Sequence, residues 1–242
     1  MAPLFLLSVF CVGVLSGATA SLLGFGIGSM LTPLLTASLG ASLAVAAVSL
    51  PHAVATAVRC WRLRKHIAFD VLKRFGLLSA AGGLAGALLY TQLGPSVLGR
   101  VLGALLLMTA MAQWTGMAKR WRPVGPAVSM LGLASGFCGG VAGNQGGIRA
   151  AALASFGLGP QAFVATATAT ALLVDVARTP VYLWQAGGSL QRVWEPVAAA
   201  TAGVLIGTWA GERVLAGLSP ALFSKLVAVG VGGLGLWLLA AG

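Results

Sequence analysis

The chain has 242 residues, of which 58% are hydrophobic and 8% charged, and 15 Lys and Arg against 4 Asp and Glu give it a net charge of +11. A soluble domain carries about a quarter of its residues as charges, so this chain, with a mean hydropathy of +0.96, cannot clothe a water-facing surface. Nucleic-acid binding falls away on the same ground, and the basic residues read instead as loop anchors under the positive-inside rule.

No charge precedes Arg59, and residues 123–148, 150–174 and 226–242 are also free of charge. Uncharged apolar stretches of about 20 residues have the length to cross a bilayer as helices. The first, 3–22, has no basic segment ahead of it and runs through Ser16, Gly17 and Ala18 without a polar break. It therefore reads as a transmembrane helix and not as a cleaved signal. Further spans are expected at 41–60, 75–93, 96–116, 124–142, 160–183, 195–216 and 220–240, about eight in all. Two apolar pieces, 29–39 and 148–157, each follow a glycine-rich stretch and are too short to cross alone. They read as half-helices, because broken backbone survives at membrane depth only where protein or a water-filled cavity satisfies it. The expected fold class is an all-α polytopic membrane protein.

A shift of 119 residues lays Ser16–Gly17 on Ser135–Gly136, Gly24 on Gly143, Gly28 on Gly147, Gly40 on Gly159 and Arg59 on Arg178. After a six-residue insertion, Pro95 falls on Pro220 and Arg100 on Lys225. Residues 1–118 and 119–242 thus read as homologous repeats, each of four spans and one glycine-broken re-entrant half-helix, together forming one membrane domain. Paired glycine-interrupted segments at corresponding positions point to a transporter's binding site near the midplane. Arg59, Arg62, Arg64, Lys65, Lys73 and Arg74 in the 59–74 loop, and Lys119, Arg120 and Arg122, place both loops on the cytoplasmic side of the inner (plasma) membrane. The charges do not decide between inverted and parallel repeats.

Asn144–Gln145–Gly146–Gly147–Ile148–Arg149 falls where one apolar helix ends and a short one begins, and Arg149 has no other charge for 26 residues before it or 25 after. An ionised Arg inside a membrane costs about 2.5–3.5 kcal/mol even on insertion scales and as a rule faces a cavity or a partner. Gly146 and Gly147 let backbone approach a ligand. The free N–H groups and dipole of the helix start favour an anion, and the guanidinium fork matches the edge of a sulfonate or carboxylate. Asn144 and Gln145 add amide donors. The first half supplies a matching start at Gly26, Gly28 and Ser29, with Ser29 and Thr32 as hydroxyl donors and Met30 standing where the second half has Arg149. The expectation is one substrate site for a small anion, built from two facing half-helix starts. The plainer alternative for Arg149 is an ion pair with Asp175 or a side chain snorkelling to an interface. Asp175 itself reads either as the i,i+3 partner of Arg178 or as a proton-coupling site. His52, beside Pro51, reads as a second proton-coupling candidate or as a packed core residue.

The segments SGATASLLGFGIGSMLTPLL (16–35) and SGFCGGVAGNQGGIRAAAL (135–153) resemble the TauE/SafE family of sulfite and organosulfonate exporters, N-Q-G-G-x-R in the second half being the sharper match. The resemblance covers essentially the whole chain, and departs from the family pattern at Ile27, which interrupts what is often a run of glycines. It implies a secondary transporter of small sulfur-containing anions, an exporter or permease working by alternating access. The same helix-end donors would also select anions in a passive channel, which stands as the alternative.

Other classes find little support. Cys11, Cys60 and Cys138 are odd in number and far apart, so they encode neither a disulfide framework nor a zinc site. No metal ligand set or cofactor is expected. Gly24–Phe25–Gly26–Ile27–Gly28 has no βαβ unit around it to bind a dinucleotide, and no G-x-S-x-G elbow exists to support an enzyme. Gly82, Gly83, Gly86, Gly203 and Gly207 read as small-residue packing faces. The lipid bilayer and a small anion are the expected partners, with homo-oligomerisation left open.

Overall fold

A computed structural model describes residues 2–116, 125–144, 146–214 and 220–241. Lys119, Arg120, Arg122 and Gln145 lie outside the described residues. Helix makes up 91% of the structure, and no strand occurs among the described residues. The helices are α1 (Pro3–Leu23), α2 (Ile27–Leu39), α3 (Ala41–Leu63) and α4 (Phe69–Tyr90), followed by α5 (Pro95–Thr115) and α6 (Pro126–Ala142). Then come α7 (Gly146–Ala154), α8 (Pro160–Ala186), α9 (Trp194–Val214) and α10 (Pro220–Ala241).

The punctuation follows from proline and glycine. Pro3, Pro95, Pro126 and Pro160 stand in the first turn of α1, α5, α6 and α8, where a missing N–H costs nothing because the group has no partner there. Gly24, Gly116 and Gly143 end α1, α5 and α6 in the left-handed conformation that only glycine adopts cheaply. Leu, Val and Trp side chains point outward along the long helices, with Leu4, Met111, Trp184 and Leu236 among the exposed ones, while Ser, Thr and Arg are found inside. That inversion of the soluble pattern is what a lipid-facing surface requires.

The expected eight spans are not what the helix lengths return. Among the described residues five helical stretches are long and apolar enough to cross a bilayer: Pro3–Leu23, Ala41–His66, Phe69–Tyr90, Pro95–Ala112 and Pro160–Ala210. The last of these holds two expected spans, 160–183 and 195–216, which are the separate helices α8 and α9 joined by a 3-10 turn at Gly187–Val193. α6 has 17 residues and falls just short of the length, and α10, Pro220–Ala241, has 22 residues. The expected 59–74 loop is also largely helical. α3 continues to Leu63 with a 3-10 turn over Arg64–His66, and α4 begins at Phe69 with a π-helical stretch at Leu72–Gly76. Two interactions favour that early start: Ala68 N–H donates to Thr166 Oγ1 at 3.0 Å, and Asp70 sits in the first turn, where its charge suits the helix dipole.

Helices from the two halves of the chain pack in pairs. α1 packs on α9 through Gly13 and Gly17 against Gly203 and Gly207; α4 packs on α6 through Gly82 and Gly86 against Gly136 and Gly140. A Cβ at Gly17 would strike the carbonyl of Val204, and one at Gly136 the carbonyl of Ser79. The expected small-residue faces are therefore contact seams, where close backbone approach replaces the hydrophobic drive that lipid removes. Within both seams the contacts advance together along the two helices, so the pairs run parallel. α3 on α8 and α5 on α10 run the other way: His52 meets Asp175 while Arg59 meets Thr168, and Gly103 meets Gly235 while Ala110 meets Gly232.

Candidate functional site

The chain breaks helix at Gly24–Gly26 and again at Gly143. Gly24 (φ 79°) donates its N–H to Ala20 O, and Gly143 (φ 71°) donates to Gly139 O, the same helix ending 119 residues apart. Gly26 follows at φ 137°, a conformation closed to side-chain-bearing residues. α2 then folds back on α1, with Gly26 against Thr19 and Thr19 Oγ1 3.9 Å from Met30 Sδ. The breaks touch each other: Gly28 lies against the carbonyl of Gly143, and Gly146 against the Phe25 ring. In each case a methyl group would not fit.

Between the breaks lies a small cavity lined by Phe25, Gly26, Gly28, Ser29, His52, Gly143, Asn144, Gly146 and Arg149. It has room for roughly one water molecule. Ser29 Oγ donates to Asn144 Oδ1 at 3.0 Å, joining the two halves across it, while Asn144 Nδ2 has no partner among the described residues. Arg149 is 2% exposed; its Nη2 reaches Gly24 O at a long 3.4 Å and its Nη1 likewise has no partner among the described residues. The expected residues Gly26, Gly28, Ser29, Asn144, Gly146 and Arg149 are thus brought together. Thr32 stands one layer back beside Gly143, its hydroxyl unpartnered, and Gly147 is turned away against Thr109 of α5.

Asp175 does not pair with Arg149. Its Oδ2 lies 2.7 Å from His52 Nδ1, and its Oδ1 accepts from Nε and Nη2 of Arg178 at 3.1 and 2.9 Å. Thr56 Oγ1 lies 3.3 Å from the same His52 nitrogen. Arg178 Nη1 donates to Gly139 O, and Tyr182 hydroxyl to Gly140 O, so the end of α6 is held by a cation and a phenol that suit its carbonyls. The i,i+3 pair within α8 is present, and His52, whose ring also lines the cavity, joins it to the site.

Arg59 departs most from the sequence-based expectation. It is not a loop anchor but a buried residue of α3, 4% exposed, donating from Nε to Thr168 Oγ1 at 2.9 Å with Nη1 unpartnered. The signal that marks it is its register with Arg178 under the 119-residue shift.

These features define a multi-pass membrane protein whose helix breaks meet around a buried, cationic, polar cavity. The family model of the sulfite exporters TauE/SafE matches residues 9–238, nearly the whole chain, and the protein belongs to that family of transporters. No curated protein matches the chain, and no solved structure does.

Proposed function

We propose that the protein is a secondary transporter of small sulfur-containing oxoanions, of the sulfite or organosulfonate class, with the cavity between the starts of α2 and α7 as its substrate site. The observation that carries this reading is Arg149: a guanidinium sealed from solvent, without a carboxylate partner among the described residues, and set beside the amide of Asn144 and the hydroxyl of Ser29. Its planar fork suits two oxygens of one sulfur centre, and the N–H groups opening α2 and α7 add the neutral donors that a helix start offers an anion. Gln145, Gly147 and Thr32 join the site when it opens.

The cavity as it stands is too small for sulfite, and its lining residues are nearly sealed. That supports a carrier that opens to one side at a time over a standing pore. The pairing of helices supports two repeats of inverted topology. The repeat-equivalent partners α3 and α8, and likewise α5 and α10, meet antiparallel, as a two-fold axis in the membrane plane requires. α2 and α7 are the re-entrant half-helices of that scheme. The basic ends of α3 and α4 face the cytoplasm across the inner membrane under the positive-inside rule.

His52 is the proton-coupling residue of this proposal. In this reading the ring nitrogen Nδ1, 2.7 Å from Asp175, carries the hydrogen donated to that carboxylate, which leaves Nε2 to take up the proton, with Arg149 on α7, Arg178 on α8 and Thr56 on α3 as the charged and polar groups around it. Asp175 orients the ring, as carboxylates orient imidazoles elsewhere.

Counterflow of labelled sulfite in proteoliposomes tests the reading. Saturable uptake accelerated by a proton gradient is expected, and the gradient's effect disappears in His52→Gln. Conductance without saturation would replace the carrier with a passive anion channel.

A further inference from the structure

The buried charges do not balance. Among the described residues, the ionised side chains sealed inside are Arg59, Arg149 and Arg178 against Asp175 alone, an excess of positive charge. Asp175 is already occupied on both oxygens, by His52 and by Arg178. Arg149 faces the cavity of the proposed site. Arg59 remains, its Nη1 without a hydrogen bond and its Nε fixed by Thr168. A guanidinium withdrawn from water with no carboxylate in contact is costly inside a membrane; Asp175 acts on it only at a distance and is already engaged by His52 and Arg178, and the neutral hydroxyl of Thr168 offsets little of that cost. An anion that visits it would.

We propose that Arg59, together with the Thr168 hydroxyl, is a second anion station, occupied by the transported oxoanion between the Arg149 cavity and the basic end of α3; the inference rests on the transport reading above. Arg59 lies on the same buried face of α3 as His52 and Thr56, seven residues beyond His52 and so roughly 10 Å further along the axis. The helix then carries Arg62 to the basic turn at Arg64–His66. Thr168 accepts from Arg59 and keeps its own proton to donate to an anion oxygen. An oxoanion leaving Arg149 would meet a second fork before it reached bulk water, so no stretch of the path would hold it without a counter-charge. Under the repeat register Arg59 corresponds to Arg178, which has Asp175 beside it. The equivalent position beside Arg59 is Thr56, and that missing carboxylate is what leaves Arg59 free for a ligand.

The test combines sulfite uptake into proteoliposomes with anion binding by the purified chain, read as thermal stabilisation by sulfite and by sulfate. Arg59→Gln is expected to lower uptake about tenfold while changing sulfite affinity at the Arg149 station by less than about threefold. Arg149→Gln lowers uptake by up to about 100-fold but keeps a weaker stabilisation by oxoanions, which the double variant Arg59→Gln/Arg149→Gln loses. Arg59→Lys restores part of the flux. Thr168→Val, which keeps the volume of the side chain, lowers uptake without lowering the unfolding midpoint measured in the absence of anion, which separates loss of the station from loss of fold. Uptake by Arg59→Gln within twofold of wild type would overturn the proposal, as would equal stabilisation of the double variant and Arg149→Gln. If the wild type moves no sulfite, the transport reading fails, and the stabilisation series decides on the station by itself.

Discussion

At the start of α2 the chain turns through Gly24 and Gly26 and presents Ser29; at the start of α7 it turns through Gly143 in the same left-handed geometry and presents Asn144 and Arg149. The backbone device is present in both halves, and the charge in only one, with Met30 occupying the place of Arg149 in the first. A symmetric pair of helix starts supplies neutral donors from both sides, and the side chains break the symmetry. The next layer repeats the pattern. Arg178 and Arg59 fall in register under the 119-residue shift and both are buried, but Arg178 rests on Asp175 and on the carbonyl of Gly139, whereas Arg59 has a hydroxyl. The difference separates two settings of a buried guanidinium: one is paired with a carboxylate, and the other is the proposed anion station.

The sharpest break of this comparison is Arg149→Ala, which should lower sulfite flux by about 100-fold, since removing one member of a buried charged contact costs roughly 2–5 kcal/mol; initial uptake rates measure it. Asp175→Asn should act on the other side, destabilising the fold by about 3–5 kcal/mol because Arg178 is left without a carboxylate; unfolding in detergent reads it, and a midpoint equal to that of wild type would erase the distinction between Arg178 and Arg59. Asn144→Ala removes an amide with a free N–H and should weaken uptake by about tenfold. Ser29→Ala takes only one neutral hydrogen bond, worth about 1 kcal/mol, and the affinity for sulfite should fall a few fold. Arg62→Ala, on an exposed side chain whose one contact is a 3.4 Å reach to Thr208 O, should leave uptake within about twofold.

Helix positions were legible because proline and glycine mark helix ends by local backbone chemistry, and Arg149 because a lone charge in an apolar run is conspicuous. Arg59 was hidden by its neighbours: it opens a basic run, and composition assigns it to a loop although the helix carries it inward for one more turn. The spans 160–183 and 195–216 were legible as the separate helices α8 and α9, while the link between them, Gly187–Val193, where glycine and polar residues read as a loop, winds as a 3-10 turn. Thr32 and Gly147 were placed at the site by their spacing along a helix, and which face of a half-helix turns to the cavity depends on packing against Gly143 and Thr109, which spacing does not contain. The partner of Asp175 was half visible, since Arg178 follows from i,i+3 spacing while His52 arrives from a helix 123 positions away.

The glycine seams also constrain how such a protein can move. α1 is locked to α9 and α4 to α6 at backbone-to-backbone distance, so each tight pair takes one helix from either half of the gene product. A hinge that swung residues 1–118 as a block against residues 119–242 would have to tear both seams open and expose bare glycine backbone to lipid. In the proposed carrier, the bodies that move past one another would therefore each mix both halves of the sequence, cut along the faces that bear on α3 and α8. The unit of motion in that proposal and the repeat proposed from the sequence are different divisions of the same chain.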